Sequence, residues 1–111
     1  MTDPEFALFH LANALWDPVE PKRLGSLAPG LHAKVNGEIY RFSSRRTLRA
    51  FERTPVRWCG LLRDPVTGLR FQPNGRSPRA EWDGSPYFFL NDSTRAVFLK
   101  SPKRYEVRRT V

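Results

Sequence analysis

Arginine side chains show the most informative spacing in this sequence. Arg45, Arg49 and Arg53 recur at every fourth position, and Arg46 and Arg57 stand beside them. On a helix, this spacing places the three along one face. Because a guanidinium binds carboxylates and phosphates through paired hydrogen bonds, this face predicts the binding of an anionic partner.

A second basic cluster lies towards the C-terminal end. It consists of Lys100, Lys103, Arg104, Arg108 and Arg109. The whole chain has 19 lysines and arginines against 11 acidic residues, a net charge of +8. Such a balance favours nucleic acid or an acidic protein surface as the partner. The alternative is that the arginines form a solvated helix face and that their number reflects codon usage.

Residues for catalysis or metal binding are sparse. Cys59 is the single cysteine, so we expect no disulfide within the chain and a small buried side chain at this position. His10 and His32 are isolated, the acidic residues form no paired-carboxylate pattern, and no glycine-rich phosphate loop is present. We therefore expect a protein that is not an enzyme and has no catalytic residue and no cofactor.

The sequence elements that position these residues occur twice. Asp17-Pro18-Val19 returns as Asp64-Pro65-Val66, an offset of 64 − 17 = 47 residues. The same offset, without a gap, relates Asn36-Gly37 to Asp83-Gly84, Tyr40 to Tyr87, Phe42 to Phe89, Thr47 to Thr94, Phe51 to Phe98 and Pro55 to Pro102. A fixed period of this size indicates a duplicated supersecondary unit.

Each copy predicts a hairpin. Asn-Gly in the first copy and Asp-Gly in the second are signals for a two-residue type I′ turn. The flanking segments predict strands at His32–Val35 and 38–42 in the first copy, and at Arg79–Trp82 and 85–90 in the second. The proline- and glycine-containing stretches 18–29 and 65–78 are expected to be irregular.

A short helix is expected after each hairpin. Ser43 or Ser44 would cap the first, and Asn91 or Asp92 the second. The first helix would reach Arg53 and the second Lys100, and a proline would stop each of them. The inner faces would carry Leu48 and Phe51 in the first copy, and Val97 and Phe98 in the second.

The N-terminal segment predicts a further helix. Asp3 suits an N-cap, Pro4 suits the first helical position, and the segment up to Trp16 has no glycine or internal proline. Its apolar residues lie on nearly all sides, which is typical of a helix buried within the protein. Alternatively, a face containing Phe9 and Trp16 contacts a second chain.

The predicted fold class is therefore mixed α+β. An N-terminal helix (1–16) precedes two tandem β-hairpin-plus-helix units (17–60 and 61–111). We expect the two units to pack as a pseudo-twofold pair in one compact domain.

The ordered set of repeated residues resembles the YHS domain, a small treble-clef-like metal-binding module. Copy two shows the better match, at Asp64-Pro65-Val66-Thr67-Gly68, Asp83-Gly84, Tyr87, Phe89, Phe98 and Pro102-Lys103-Arg104-Tyr105. The resemblance implies three ligand positions per copy, often cysteines in YHS relatives. Here they hold Glu20, Ser43 and Thr47 in copy one, and Thr67, Leu90 and Thr94 in copy two. Since no thiolate remains, we expect both units to be metal-free.

The sequence therefore predicts a non-catalytic protein-interaction module that docks on an acidic partner surface. A nucleic-acid-binding module that uses the same arginines on DNA or RNA is the alternative, and a metal-binding YHS protein is a third. No signal-peptide pattern and no apolar stretch of about 20 residues is present, so we expect a cytoplasmic protein without a membrane contact. The sequence is compatible with a monomer and with a homodimer.

Overall fold

The computed structural model describes residues 16–106, and it confirms the mixed α+β fold class. Within this part of the chain, six strands pair into three two-stranded sheets, β1 with β2, β3 with β4, and β5 with β6. The elements are, in chain order, β1 (His32–Val35), β2 (Glu38–Arg41), α1 (Arg45–Arg53), α2 (Pro55–Trp58), β3 (Leu62–Arg63), β4 (Arg70–Phe71), β5 (Arg79–Trp82), β6 (Ser85–Phe88), α3 (Asp92–Lys100) and α4 (Pro102–Tyr105). No helix within 16–106 is long and apolar enough to cross a membrane.

Both predicted hairpin turns are present. Asn36 and Gly37 have φ values of 51° and 77°, and Asp83 and Gly84 have φ values of 54° and 76°. Positive φ at both central residues defines the type I′ turn, whose twist matches that of the two strands it joins. The local residue types therefore determine the turn in each copy.

The second strand of each hairpin is shorter than predicted. Strand β6 ends at Phe88. The next amide, that of Phe89, still donates to the carbonyl of Pro78, the residue opposite it in the hairpin register, at 2.9 Å, but proline has no N–H with which to complete the pair. In the first copy, the Phe42 amide likewise donates to the Leu31 carbonyl at 2.9 Å, beyond the end of β2. In each copy one cross-strand hydrogen bond thus continues past the end of the second strand, at the equivalent residue.

Helices α1 and α3 have the predicted bounds and caps. Ser44 accepts a hydrogen bond from the Thr47 amide at 3.3 Å, and Asn91 accepts one from the Thr94 amide at 3.0 Å. Instead of a simple stop, a four-residue helix, α2 or α4, begins at each following proline. Proline suits this position, since the first amide of a helix needs no intrahelical partner.

One expected core residue of α3 lies on its surface. Phe98 is fully buried, but Val97 is 39% exposed, so its predicted inward position is wrong. The buried side of α3 contains Thr94 and Phe98, which are one turn apart. Consecutive residues of a helix point about 100° apart, so Val97 is directed away from this buried side.

Two compact units make up the fold. The first comprises the chain up to Ala33 together with Ile39–Thr54, and the second comprises Lys34–Glu38 and the chain from Pro55. The tip of the first hairpin thus belongs to the second unit, which differs from the predicted division at residues 60 and 61. The pseudo-twofold pairing stays a prediction.

Each unit has its own aromatic cluster. In the first, the Phe51 ring lies 5.1 Å from that of Tyr40 and 5.0 Å from that of Phe42, between centroids. In the second, Phe98 lies 4.9 Å from Tyr87 and 5.2 Å from Phe89. The equivalent residues of the two copies thus form two equivalent clusters, and each cluster holds one helix against its hairpin.

The segments expected to be irregular contain short pairings. Strands β3 and β4 enclose the loop that begins at Asp64. In the first copy, Trp16 and Leu24 form an antiparallel bridge that encloses the corresponding loop, which begins at Asp17. The prediction that Trp16 ends the N-terminal helix is therefore wrong. Residues 1–15, with Phe9 and His10, and residues 107–111, with Arg108 and Arg109, lie outside the described part.

The two loops also differ by one residue. The Asp17 amide donates to the carbonyl of Arg23, six positions on, whereas the Asp64 amide donates to that of Leu69, five positions on. The ungapped offset of 47 residues thus holds for the landmarks but not for the chain between them.

Candidate functional site

The three positions that the YHS resemblance would assign to ligands in copy one surround a buried carboxylate. Asp17 is fully buried. Its Oδ1 accepts from the amides of Val19 (2.8 Å) and Glu20 (3.1 Å). Its Oδ2 accepts from the amide and the hydroxyl of Ser43, both at 2.8 Å, and from the hydroxyl of Thr47 at 2.6 Å. Glu20, Ser43 and Thr47, the positions named from the resemblance, therefore converge on Asp17.

Copy two builds the same arrangement with one donor fewer. Asp64 is fully buried, and its Oδ1 accepts from the amides of Val66 (2.8 Å) and Thr67 (3.0 Å). Its Oδ2 accepts from the Leu90 amide at 2.9 Å and the Thr94 hydroxyl at 2.7 Å. Leucine has no hydroxyl to supply the fifth bond that Ser43 provides in copy one.

This donor set does not suit a metal ion. A cation needs oxygen, nitrogen or sulfur lone pairs directed at it. Here N–H and O–H groups direct hydrogens at both oxygens of each carboxylate. Among residues 16–106, no group of three or more histidine, cysteine or acidic side chains could hold a metal. Each aspartate instead ties a loop to the start of a helix, and it acts as the structural centre of its unit.

Hydrogen bonding keeps both aspartates ionised. Burial by itself raises the pKa of Asp17, but hydrogen bonds from Ser43, Thr47 and Glu20 outweigh it and lower this pKa below its ordinary value of 3.8. The pKa of Asp64 is lowered in the same way, since bonds from Leu90, Thr67 and Thr94 outweigh its burial.

Both lowered pKa values predict a loss of stability in acid. A carboxyl group with a lower pKa in the folded than in the unfolded state stabilises the protein above its unfolded pKa. That stability is lost as the pH falls through the folded pKa. We expect the free energy of unfolding, measured by urea titration, to fall steadily below about pH 4. Asp64→Asn should flatten this dependence, while Asp83→Asn, at an exposed turn position, should leave it unchanged. An equal slope in all three proteins would contradict the prediction.

Cys59 confirms its expected role as a small buried residue. It is 5% exposed, and burial raises the pKa of its thiol to about 12. A thiol with so high a pKa stays protonated near neutral pH and is a poor nucleophile or metal ligand. His32 is exposed at the start of β1.

The predicted basic face lies mainly on α1. Arg45, Arg46, Arg49 and Arg53 are all exposed, opposite the buried side formed by Thr47, Leu48 and Phe51. Arg57 is also exposed, but it lies on α2 in the second unit, with its guanidinium 4.7 Å from the centroid of the Trp58 ring.

Arg46 differs from the other arginines of α1. It forms an ion pair with Glu20, which also pairs with Arg23 at 3.2 Å. Within the described range, no acidic side chain pairs with Arg45, Arg49 or Arg53. On α1, the arginines that form no ion pair with a described residue are therefore these three, and we call them the α1 arginine row.

Helix α3 has no such row. The offset places Asp92, Ala96 and Lys100 at the positions of Arg45, Arg49 and Arg53, so the formal charges there cancel. Of the second basic cluster, Lys100, Lys103 and Arg104 are exposed, and the Arg104 guanidinium lies 5.6 Å from the centroid of the Tyr105 ring.

Two site residues could have been recognised from the sequence. Aspartate often accepts hydrogen bonds from the amide two residues on, so Asp17 and Asp64, each before Pro-Val, could have been predicted to have this role from the sequence.

No family model matches this chain, and neither a curated protein nor a solved structure matches it.

Proposed function

We propose that this protein is a non-catalytic interaction module of two metal-free YHS-like units that docks on an acidic protein surface. The α1 arginine row of Arg45, Arg49 and Arg53 is the docking surface. The observation that supports this proposal is the presence of three exposed guanidinium groups in one row without an acidic partner among residues 16–106.

Anchoring of α1 supports a specific rather than a diffuse interaction. The Ser44 cap fixes its first turn, and the fully buried Phe51 fixes its inner face. The Cα atoms of Arg45 and Arg53 are then about 12 Å apart along the axis, at 1.5 Å per residue. A rigid row of this length matches carboxylates spaced along one helix or one extended segment of a partner.

The aromatic side chains favour a protein partner over single-stranded nucleic acid. Proteins that bind single strands stack bases on exposed aromatic rings beside basic residues. The three aromatic residues that pack with or next to α1, Tyr40, Phe42 and Phe51, are buried in the first unit. A nucleic acid would therefore find charge on this helix but no stacking surface on its described neighbours.

Charge reversal on α1 provides the test. We expect Arg45→Glu, Arg49→Glu and Arg53→Glu together to weaken binding to a fluorescent polyglutamate peptide about thirtyfold or more, since each lost pair contributes up to about 1 kcal/mol and each new glutamate adds repulsion. The matched control is Lys100→Glu, Lys103→Glu and Arg104→Glu, which changes the net charge equally at the other basic cluster. Fluorescence anisotropy gives both affinities.

The outcomes separate three explanations. Loss of binding only in the α1 variant supports the proposal. Equal loss in both variants would show that net charge rather than the α1 arginine row governs binding. Tighter binding to duplex DNA than to the peptide, with an affinity that falls log-linearly with salt, would overturn the proposal in favour of a nucleic-acid partner.

A further inference from the structure

The chain contains two Asn-Gly pairs in opposite environments. Asn74-Gly75 lies in the exposed loop before β5, and Asn36-Gly37 forms the buried tip of the first hairpin. We propose that Asn74 is a site of spontaneous deamidation in the folded protein and that Asn36 is protected from the same reaction. This proposal does not depend on the proposed docking function.

The loop at Asn74 is arranged for attack on its own side chain. Its Oδ1 accepts a hydrogen bond from the Arg76 amide at 2.7 Å, and its carbonyl accepts one from the Ser77 amide at 3.1 Å. A side-chain oxygen bonded to the amide two residues on brings its own Cγ over the intervening peptide nitrogen, here that of Gly75. No described residue accepts a hydrogen bond from the Gly75 amide, which leaves this nitrogen available.

The reaction needs only water and base. After base removes its proton, the Gly75 nitrogen forms a bond to Cγ of Asn74. The side-chain nitrogen then takes up a proton from the protonated base, its bond to Cγ breaks, ammonia leaves, and a cyclic imide remains. Water adds to either imide carbonyl and opens the ring to aspartate or isoaspartate. The Arg76 amide donates to the oxygen that becomes negative during the attack, as an oxyanion-hole donor does.

Glycine at position 75 leaves the attack unhindered. A methyl group at this position would meet no heavy atom within 4 Å, so an alanine fits the loop. Gly75→Ala therefore tests the reaction without a predicted clash. Its methyl group hinders closure of the imide ring but leaves the fold unchanged.

Asn36 has the opposite geometry. It is 2% exposed, and its amide group donates to the carbonyls of Arg63 (3.0 Å) and Phe88 (2.9 Å). Its Oδ1 accepts from the Phe88 amide at 2.7 Å. The side chain of Asn36 is thus hydrogen-bonded to the backbone of distant residues and is not positioned for attack by the Gly37 nitrogen. Because it is buried, water and base have no access to it.

Peptide mapping tests the proposal on the folded protein. Trypsin places the two asparagines in different peptides, residues 35–41 and 71–76. After incubation in mildly alkaline buffer, mass spectrometry measures the replacement of NH₂ by OH in each. We expect Asn74 to react at least about tenfold faster than Asn36, because only Asn36 requires local unfolding.

A denatured sample and a variant complete the experiment. In guanidinium chloride the two asparagines should react at similar rates, and Gly75→Ala should slow the reaction only in residues 71–76. If Asn36 reacts as fast as Asn74 in the folded protein, the proposed protection is wrong. If Asn74 reacts more slowly in the folded than in the denatured protein, the loop does not favour the reaction, and the proposal fails.

Discussion

Replacing Asp64 by asparagine is expected to lower the free energy of unfolding by about 3 kcal/mol. The buried carboxylate accepts four hydrogen bonds through its two oxygens. Asparagine has the same shape but only one acceptor oxygen, so its NH₂ group must face two donors. At least two donors, buried or partly buried, then lose their acceptor, at about 1–3 kcal/mol each.

Urea titration followed by tryptophan fluorescence measures this loss, because Trp58 and Trp82 lie in the same unit as Asp64. Thr94→Val removes a single donor and should lower the free energy of unfolding by about 1–2 kcal/mol. Asp17→Asn should have an effect at least as large as Asp64→Asn, since Asp17 accepts five bonds. A smaller loss in Asp64→Asn than in Thr94→Val would show that the carboxylate is not the structural centre of its unit.

Replacing Asn36 by alanine is expected to lower the free energy of unfolding by about 3 kcal/mol. The change removes three side-chain hydrogen bonds to Arg63 and Phe88 and leaves the Phe88 amide without its side-chain acceptor. Phe88 itself is 4% exposed, so water cannot replace the lost bond without local opening.

Asp83→Ala is the matched control for Asn36→Ala. Both residues occupy the first position of a type I′ turn, with φ values of 51° and 54°, so the strain of alanine at positive φ is the same. Asp83 is exposed, and we expect its replacement to destabilise the protein by about 1 kcal/mol or less. The difference between the two variants measures the contribution of the buried amide. Equal losses would mean that the turn conformation, not the contacts of Asn36, determines the effect.

The repeat made much of the fold predictable. Both turns, the caps at Ser44 and Asn91, and the ends of α1 and α3 follow from residue types within a few positions. The inward positions of Phe51 and its counterpart Phe98 follow from helical spacing, and both residues are buried. These features were accessible because each depends on sterics and hydrogen bonds between near neighbours in the chain.

Other features of the site were not accessible. The sequence showed Asn36 and Asp83 as equivalent turn residues, yet only Asn36 has its side chain buried against β6. It also grouped Arg46 with Arg45, although Arg46 pairs with Glu20, 26 residues away. No local pattern reports such contacts, because they form only when distant segments come together.

The twice-occurring Asp-Pro-Val and the arginine spacing of α1 are thus properties of the sequence alone, since period and helical geometry do not depend on the rest of the molecule. Only the tertiary structure showed what these residues contact. It brought Ser43 and Thr47 to Asp17 across 26 and 30 residues, and it left Arg45, Arg49 and Arg53 without acidic partners among residues 16–106. The physical reason is that a buried carboxylate requires donors from whichever segments enclose it, whereas an exposed guanidinium is solvated and imposes no such requirement.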